Sequence, residues 1–291
     1  MSGVVTLAND DLVIEVESQR GGRVVRLFSR LDGREWLRTG CGRPAPAPTL
    51  DAVFTDTDHF GWDEMLPTVD PCRYVGDPYD QVDLADHGEL WSTTWEVVAE
   101  TGTSLHQRAR GQRLDYTFDR NLDLEGATLR VNYTCSVGKP TTMLWAMHPQ
   151  FAMRRGTRLV LTNCGTRVLN TSTGEPETEP WPGDLVVERD VLAGDDRMLY
   201  VDPTDTVTTA SLVDVDGASL TMDWDHDFAR YLGIWIDHGR YTDGRVVAIE
   251  PTNGFFDELA RAQRSHLVTE FLPQRPTSWW VEIKVTKGES S

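Results

Sequence analysis

The chain has 291 residues, and its 46 acidic side chains outnumber the 28 basic ones for a net charge of −18. The acids are scattered rather than gathered into a tail, so a nucleic acid or an anionic membrane surface would be repelled. No basic stretch followed by an apolar run opens the sequence and no window approaches a membrane span, which makes cytoplasmic residence the default expectation.

Short alternating segments recur from end to end. Residues 11–18 place Leu12, Ile14 and Val16 on one face. Residues 129–137 do the same with Leu129, Val131, Tyr133, Cys135 and Val137, and the closing run sets Trp279, Val281, Ile283 and Val285 against Trp280, Glu282 and Lys284. A period of two means strands with one wet and one dry face. Asp32-Gly33, Asp216-Gly217 and Asp243-Gly244 are hairpin signals between such runs. Residues 41–50 are proline-rich and predict an extended connection, and residues 170–183 predict a polar loop with an acid cluster ahead of Trp181. Helical periodicity is confined to a short helix within 255–266 and an ambiguous stretch at 182–192. No βαβ rhythm and no glycine-rich phosphate loop is present. The expected architecture is all-β, an antiparallel sandwich or barrel with a few short helices, folded as a single domain over residues 1–291. The four cysteines, Cys41, Cys72, Cys135 and Cys164, form no CxxC pair, which argues against a zinc knuckle.

Four segments concentrate unusual residues. One holds His59, Trp62, Asp63 and Glu64; a second, DHGELWSTTW, holds Asp86, His87, Glu89, Trp91 and Trp95. In the third, His148 interrupts an apolar run, a position that suits a satisfied core histidine as well as a reactive one. In the fourth, Glu250 ends the apolar run Val246–Ile249 directly before a proline, which holds it in extended backbone at a strand end. A carboxylate among apolar neighbours loses hydration and becomes a candidate general base, though a glutamate paired to an arginine at a sheet rim would fit the same pattern. Gly88 permits close backbone approach beside His87. Trp62, Trp91 and Trp181 offer flat faces for a sugar ring, whereas Trp95, Trp145, Trp235, Trp279 and Trp280 read as structural. No nucleophile elbow, HxH or HExxH is present; a metal would have to be assembled from His59, Asp63, His87 and His148.

At these residues the chain resembles the aldose 1-epimerase family, the galactose mutarotase-like proteins. The resemblance rests on the His-Gly of DHGELWSTTW with Trp95 eight residues on, the histidine of MHPQF, and the Glu-Pro of AIEPTNG followed by a short helix and a tryptophan-rich strand. GWDEMLPTV and GGRVVRLFSRLDGREWL add to it, so it spans residues 10–286. It implies a large antiparallel β-sandwich with a sugar site in a concave face, and interconversion of α and β anomers without a cofactor. Glu250 matches the general base, His148 the general acid for the ring oxygen, and His87 the histidine that binds that oxygen. The Asn-Arg pair that galactose-specific members carry before the His-Gly has no match, so the resemblance does not extend to galactose. Their sugar-binding aspartate has Asp225, Asp227 and Asp237 as candidate counterparts. Asp63, Glu64 and Trp91 are the candidate replacement sugar contacts. The expected partner is a small sugar alone, with neither nucleic acid nor membrane. The same fold also hosts carbohydrate lyases, isomerases and non-catalytic sugar binders.

Overall fold

The computed structural model describes residues 3–40, 48–172, 175–181, 194–288 and the backbone of 184–186. Cys41, most of the proline-rich connection and most of the ambiguous 182–192 stretch lie outside the described residues. Within them, the alternation becomes two large antiparallel sheets of eleven and nine strands. The larger runs in the order Val4–Ala8, Leu12–Glu17, Arg23–Ser29, Trp62–Met65, Ala146–Ala152, Arg245–Thr252, Tyr231–His238, Asp196–Val201, Arg167–Asn170 and Glu177–Pro180, with Arg34–Glu35 beside Arg23–Ser29. The smaller has Ser219–Trp224, Thr277–Thr286, Thr128–Val137 and Tyr116–Glu125 at its centre. All three Asp-Gly pairs turn hairpins, and the expected inward sets are buried: Leu12, Ile14 and Val16, Leu129 through Val137, and Trp279 through Val285 at every second residue. The one α-helix among the described residues is Leu259–Ser265, closed by His266 in the left-handed conformation.

One expectation is overturned. The polar stretch 170–183 is not a free loop, because Glu177–Pro180 pairs with Arg167–Asn170 as an edge strand of the larger sheet. Its glutamates are tolerated there because an edge strand faces water along one side, and charge on an edge discourages pairing with other chains.

The two sheets meet face to face through a layer rich in aromatic rings. Tyr133 and Trp279 of the smaller sheet stack at 5.4 Å, and Trp145, in the connection leading into the Ala146–Ala152 strand, lies 5.1 Å from each of them. Into this layer the larger sheet sends a charge. Glu64 is fully buried; its carboxylate accepts hydrogen bonds from Arg120 (3.1 Å), the Tyr133 hydroxyl (2.9 Å) and the Trp145 indole N–H (3.0 Å). Arg120 in turn donates to the Gly22 carbonyl and to Gln107 (2.7 Å), and lies over the Trp95 ring. Both ions are thus paired and hydrogen-bonded, the condition under which a buried pair is tolerated.

Removing one partner of such a pair leaves an uncompensated buried charge. Arg120→Met should lower the unfolding free energy in urea by about 3–5 kcal/mol, and adding Glu64→Gln should restore most of that loss. Equal and additive losses in the double-mutant cycle would show that the two side chains do not act as a pair.

Candidate active site

Strand register builds the site as a row across the open face of the larger sheet. Val24 pairs with Trp62, which sets Arg23 opposite Asp63; His148 pairs with Asp63, and Gly233 with Glu250 and Tyr200. Ala146 pairs with Thr252 and Gln150 with Ala248, a register that sets His148 opposite Glu250. Side chains alternate between faces, so this whole row shares one face, and its immediate neighbours Trp62, Glu64, Met147 and Ile249 face the other sheet.

His148 Nδ1 and Glu250 Oε1 meet directly in a hydrogen bond, and both residues are almost wholly buried. The absence of a side chain at Gly233 makes room for this carboxylate, since a Cβ there would stand 3.1 Å from Glu250 Oε2. His87 comes from a different part of the chain. It holds a left-handed backbone (φ 57°) in a turn where Gly88 is obligatory, because a Cβ at Gly88 would fall 2.2 Å from the Leu66 carbonyl oxygen. The His87 ring lies flat against Phe54, with 3.9 Å between centroids and 5° between planes, and stands perpendicular to His148 at 5.6 Å. Its Nδ1 is 2.8 Å from Asp86 Oδ1, and Asp86 Oδ2 accepts the Phe54 N–H at 2.8 Å. Burial works against ionisation of Asp86, but the His87 contact and the two backbone N–H groups outweigh it and hold the carboxyl below its usual range. A carboxylate on Nδ1 of each histidine leaves each Nε2 for the cavity.

These three side chains line one cavity of about 290 Å³ together with Phe54, His59, Asp70, Asp196, Met198, Trp235, Tyr241 and Asp257. Glu250, His148 and His87 are therefore brought together, as the sequence reading expects of a catalytic set. Asp63, Glu64 and Trp91 do not line it. Asp63 shares the His148 face but is fully buried in an ion pair with Arg23 (2.9 Å). Glu64, the next residue, must point the other way, into the intersheet layer. Trp91 is buried behind Phe54 (5.0 Å, edge-on), its N–H bonded to the Asp86 carbonyl at 2.9 Å. Its role is to brace the His87 turn. Glu89 is likewise buried, accepting the N–H groups of Gln112 and Arg113 and the Tyr116 hydroxyl.

The indole that does face the cavity is Trp235, 5.6 Å from the His148 ring. It reads as structural from composition, yet it lies in the same parity as Gly233 and hence as Glu250, a signal recoverable from the Asp243-Gly244 hairpin. Asp225, Asp227 and Asp237 do not line the cavity either. Asp237 caps the following turn by accepting N–H bonds from Arg240, Tyr241 and Thr242, and Asp225 closes a turn at Phe228. The acids that line it, Asp70, Asp196 and Asp257, come from segments with no distinguishing pattern. His59 is 7% exposed; its Nδ1 is bonded to the Thr57 carbonyl, and Nε2 has no partner among the described residues. Burial pushes its pKa down, so the ring stays neutral and offers a lone pair. Among the described residues no three His, Cys, Asp or Glu side chains are grouped to hold a metal ion.

No protein-family model and no curated protein sequence matches the chain. Solved structures do. Slr1438 protein from Synechocystis sp. PCC 6803 superposes with a TM-score of 0.78 at 17% identity, covering 97% of this chain and 95% of that one. A galactose mutarotase-like protein from Lactobacillus casei gives 0.74 at 16% over 98% and 100% of the two chains. The GalM/aldose epimerase homologue from C. elegans gives 0.69 at 12% over 99% and 100%. At such identities the likeness is one of fold, and it extends over nearly the whole of each chain: this protein has the galactose mutarotase-like fold.

Proposed function

We propose that the protein is an aldose 1-epimerase, interconverting the α and β anomers of a free aldose by acid–base catalysis. The observation that carries this reading is the convergence of Glu250, His148 and His87 in one cavity, with each histidine held at Nδ1 by a carboxylate. A binding site needs neither a base nor an acid; anomer exchange needs both.

In this reading Glu250 takes the proton from the C1 hydroxyl at Oε2, the oxygen not engaged by His148. His148 delivers a proton to the ring oxygen, and the C1–ring oxygen bond breaks as the C1 carbonyl forms. His87, steadied by Asp86 and Phe54, holds the ring oxygen and the hydroxyl that replaces it. Rotation about the C1–C2 bond presents the other carbonyl face. The proton then returns from the new hydroxyl to His148 as its oxygen attacks C1, and Glu250 returns its proton to O1. Trp235 presents its face to the sugar C–H groups, and Asp196 offers an acceptor for hydroxyls.

Glu250→Gln keeps shape but not basicity. By NMR of freshly dissolved aldoses, exchange should fall by roughly 10²–10⁴-fold, in kcat rather than KM. Wild-type rates in this variant would remove Glu250 as the base, and a wild type that binds aldoses without accelerating exchange would replace the enzyme by a sugar-binding protein.

The indoles separate cleanly. Trp235→Ala should weaken sugar affinity about 3–10-fold with little change in melting temperature. Trp91→Ala should cost about 3–5 kcal/mol of stability, as truncation of a fully buried aromatic does. The reverse pattern, read by calorimetry and thermal melts, would restore Trp91 to the sugar face.

Charge sets a further preference. The described lining residues include Asp70, Asp196, Glu250 and Asp257 but neither lysine nor arginine. An aldose should therefore be exchanged with a kcat/KM at least about 10-fold above that of its 6-phosphate, because a dianion meets an acid-rich lining with neither lysine nor arginine among its described residues. Equal or better turnover of the phosphate would contradict this.

A further inference from the structure

Asp257 lies between the Glu250 strand and the Leu259–Ser265 helix, and its backbone is fixed. Its carbonyl accepts the N–H groups of Val69 and Asp70, each at 3.0 Å, and the Thr68 hydroxyl at 3.3 Å. That anchoring turns the carboxyl to the cavity. There Oδ1 meets the hydroxyl of Tyr200, a buried ring packed edge-on against Phe255 and Phe256 at 5.2 and 5.3 Å. Three titratable groups face the carboxyl from the elements around it: Asp70 from the 66–70 segment, Glu250 from the adjoining strand and Tyr200 from the Asp196–Val201 strand. Two are acids, and the third is a neutral phenol. Among the described residues no lysine, arginine or histidine pairs with Asp257, and Oδ2 takes part in no hydrogen bond.

Asp70 likewise has no ion-pair partner among the described residues, and burial raises its pKa; the remaining carboxyls in and around the cavity are paired. Asp86 has His87 and the Phe54 N–H, Glu250 has His148, and Asp196 has Arg240 at 2.6 Å. A buried carboxylate beside two like charges, with one neutral donor for company, is more stable protonated than ionised. Burial first, then Asp70 and Glu250, push the Asp257 pKa well above the usual carboxylate range against the pull of Tyr200. The complement is chemical as well. A protonated carboxyl adds a donor, alongside the hydroxyls of Thr55, Thr171, Ser172 and Tyr241, for the lone pairs that each sugar hydroxyl carries.

We propose that Asp257 is a specificity-determining residue of the sugar site, a neutral carboxylic acid whose Oδ2–H donates to a hydroxyl oxygen of the bound aldose. The proposal rests on the functional reading above for the identity of the ligand, but not on turnover.

Difference infrared spectra of wild type against Asp257→Asn at neutral pH should show the carbonyl stretch of a protonated carboxyl in the wild type alone. Calorimetric titration with the aldoses should separate donor from acceptor. Asp257→Asn, whose amide N–H also donates, should stay within about 3-fold of wild-type affinity, and Asp257→Ala should lose about 10-fold. No protonated-carboxyl band, an Asn variant as weak as the Ala variant, an Ala variant of unchanged affinity, or a wild type that binds no aldose would each overturn the proposal. If Asp257→Ala fails to fold, the infrared band and the Asn affinity still decide. A protein that binds aldoses through Asp257 but never exchanges anomers would sink the epimerase reading and leave this one standing.

Discussion

The buried pair of Glu64 and Arg120 is the contact on which the geometry of the site depends. It is the charged tie from the centre of the larger sheet to the centre of the smaller one, and it is satisfied by Tyr133, Trp145, Gln107 and a backbone carbonyl. Two charges taken out of water contribute little net stability, since desolvation offsets their attraction. What they supply is register. If the Trp62–Met65 strand slipped by one residue, Glu64 would leave its cation and every side chain on that strand would change faces. The pair therefore specifies that Asp63 and its neighbours across the sheet face outward.

From that parity the site follows strand by strand. Asp63, His148, Glu250, Gly233 and Tyr200 lie in one row because each strand is pinned to the next. Glycine at 233 leaves the carboxylate its space, and prolines at 149 and 251 follow His148 and Glu250 on adjoining strands. The second histidine is placed by a different device. A left-handed residue, a glycine against the Leu66 carbonyl and a tryptophan beneath Phe54 hold His87 perpendicular to His148. Backbone strain of this kind is kept where the surroundings over-determine it.

Much of the fold was legible in the sequence because a half-buried strand leaves a period-two trace and an Asp-Gly hairpin leaves a dipeptide. Glu250, His148 and His87 could be singled out because each breaks an apolar or glycine-marked context. Asp63, Glu64 and Trp91 fall outside the cavity for one reason. Asp63 and Glu64 are equally unusual as letters, but adjacent strand residues cannot share a face, and which face holds the cavity is a property of the sheets. That Trp235 lines the cavity and Trp91 does not is likewise a matter of which face each occupies, which hydrophobicity alone does not show. Asp196 lies in a segment whose local pattern announces nothing, Asp257 in a stretch that reads only as a short helix, and tertiary packing alone gives the two their neighbours. The edge strand Glu177–Pro180 escaped because its pairing owes nothing to apolar alternation.

The cavity is best understood by asking what accompanies each carboxyl. Asp63 has an arginine, Asp86 an imidazole and two backbone N–H groups, Glu250 an imidazole, and Asp257 a phenol with two acids nearby. A buried ionised carboxylate needs a cation or several donors, so the partners, rather than the residue type, decide which carboxyls accept and which donate. The same reasoning separates the histidines. His59 donates Nδ1–H to a carbonyl and stays neutral, whereas His87 and His148 each present Nδ1 to a carboxylate. Three imidazoles within reach of one phenylalanine thus have different partners at Nδ1, a backbone carbonyl for one and a carboxylate for each of the other two.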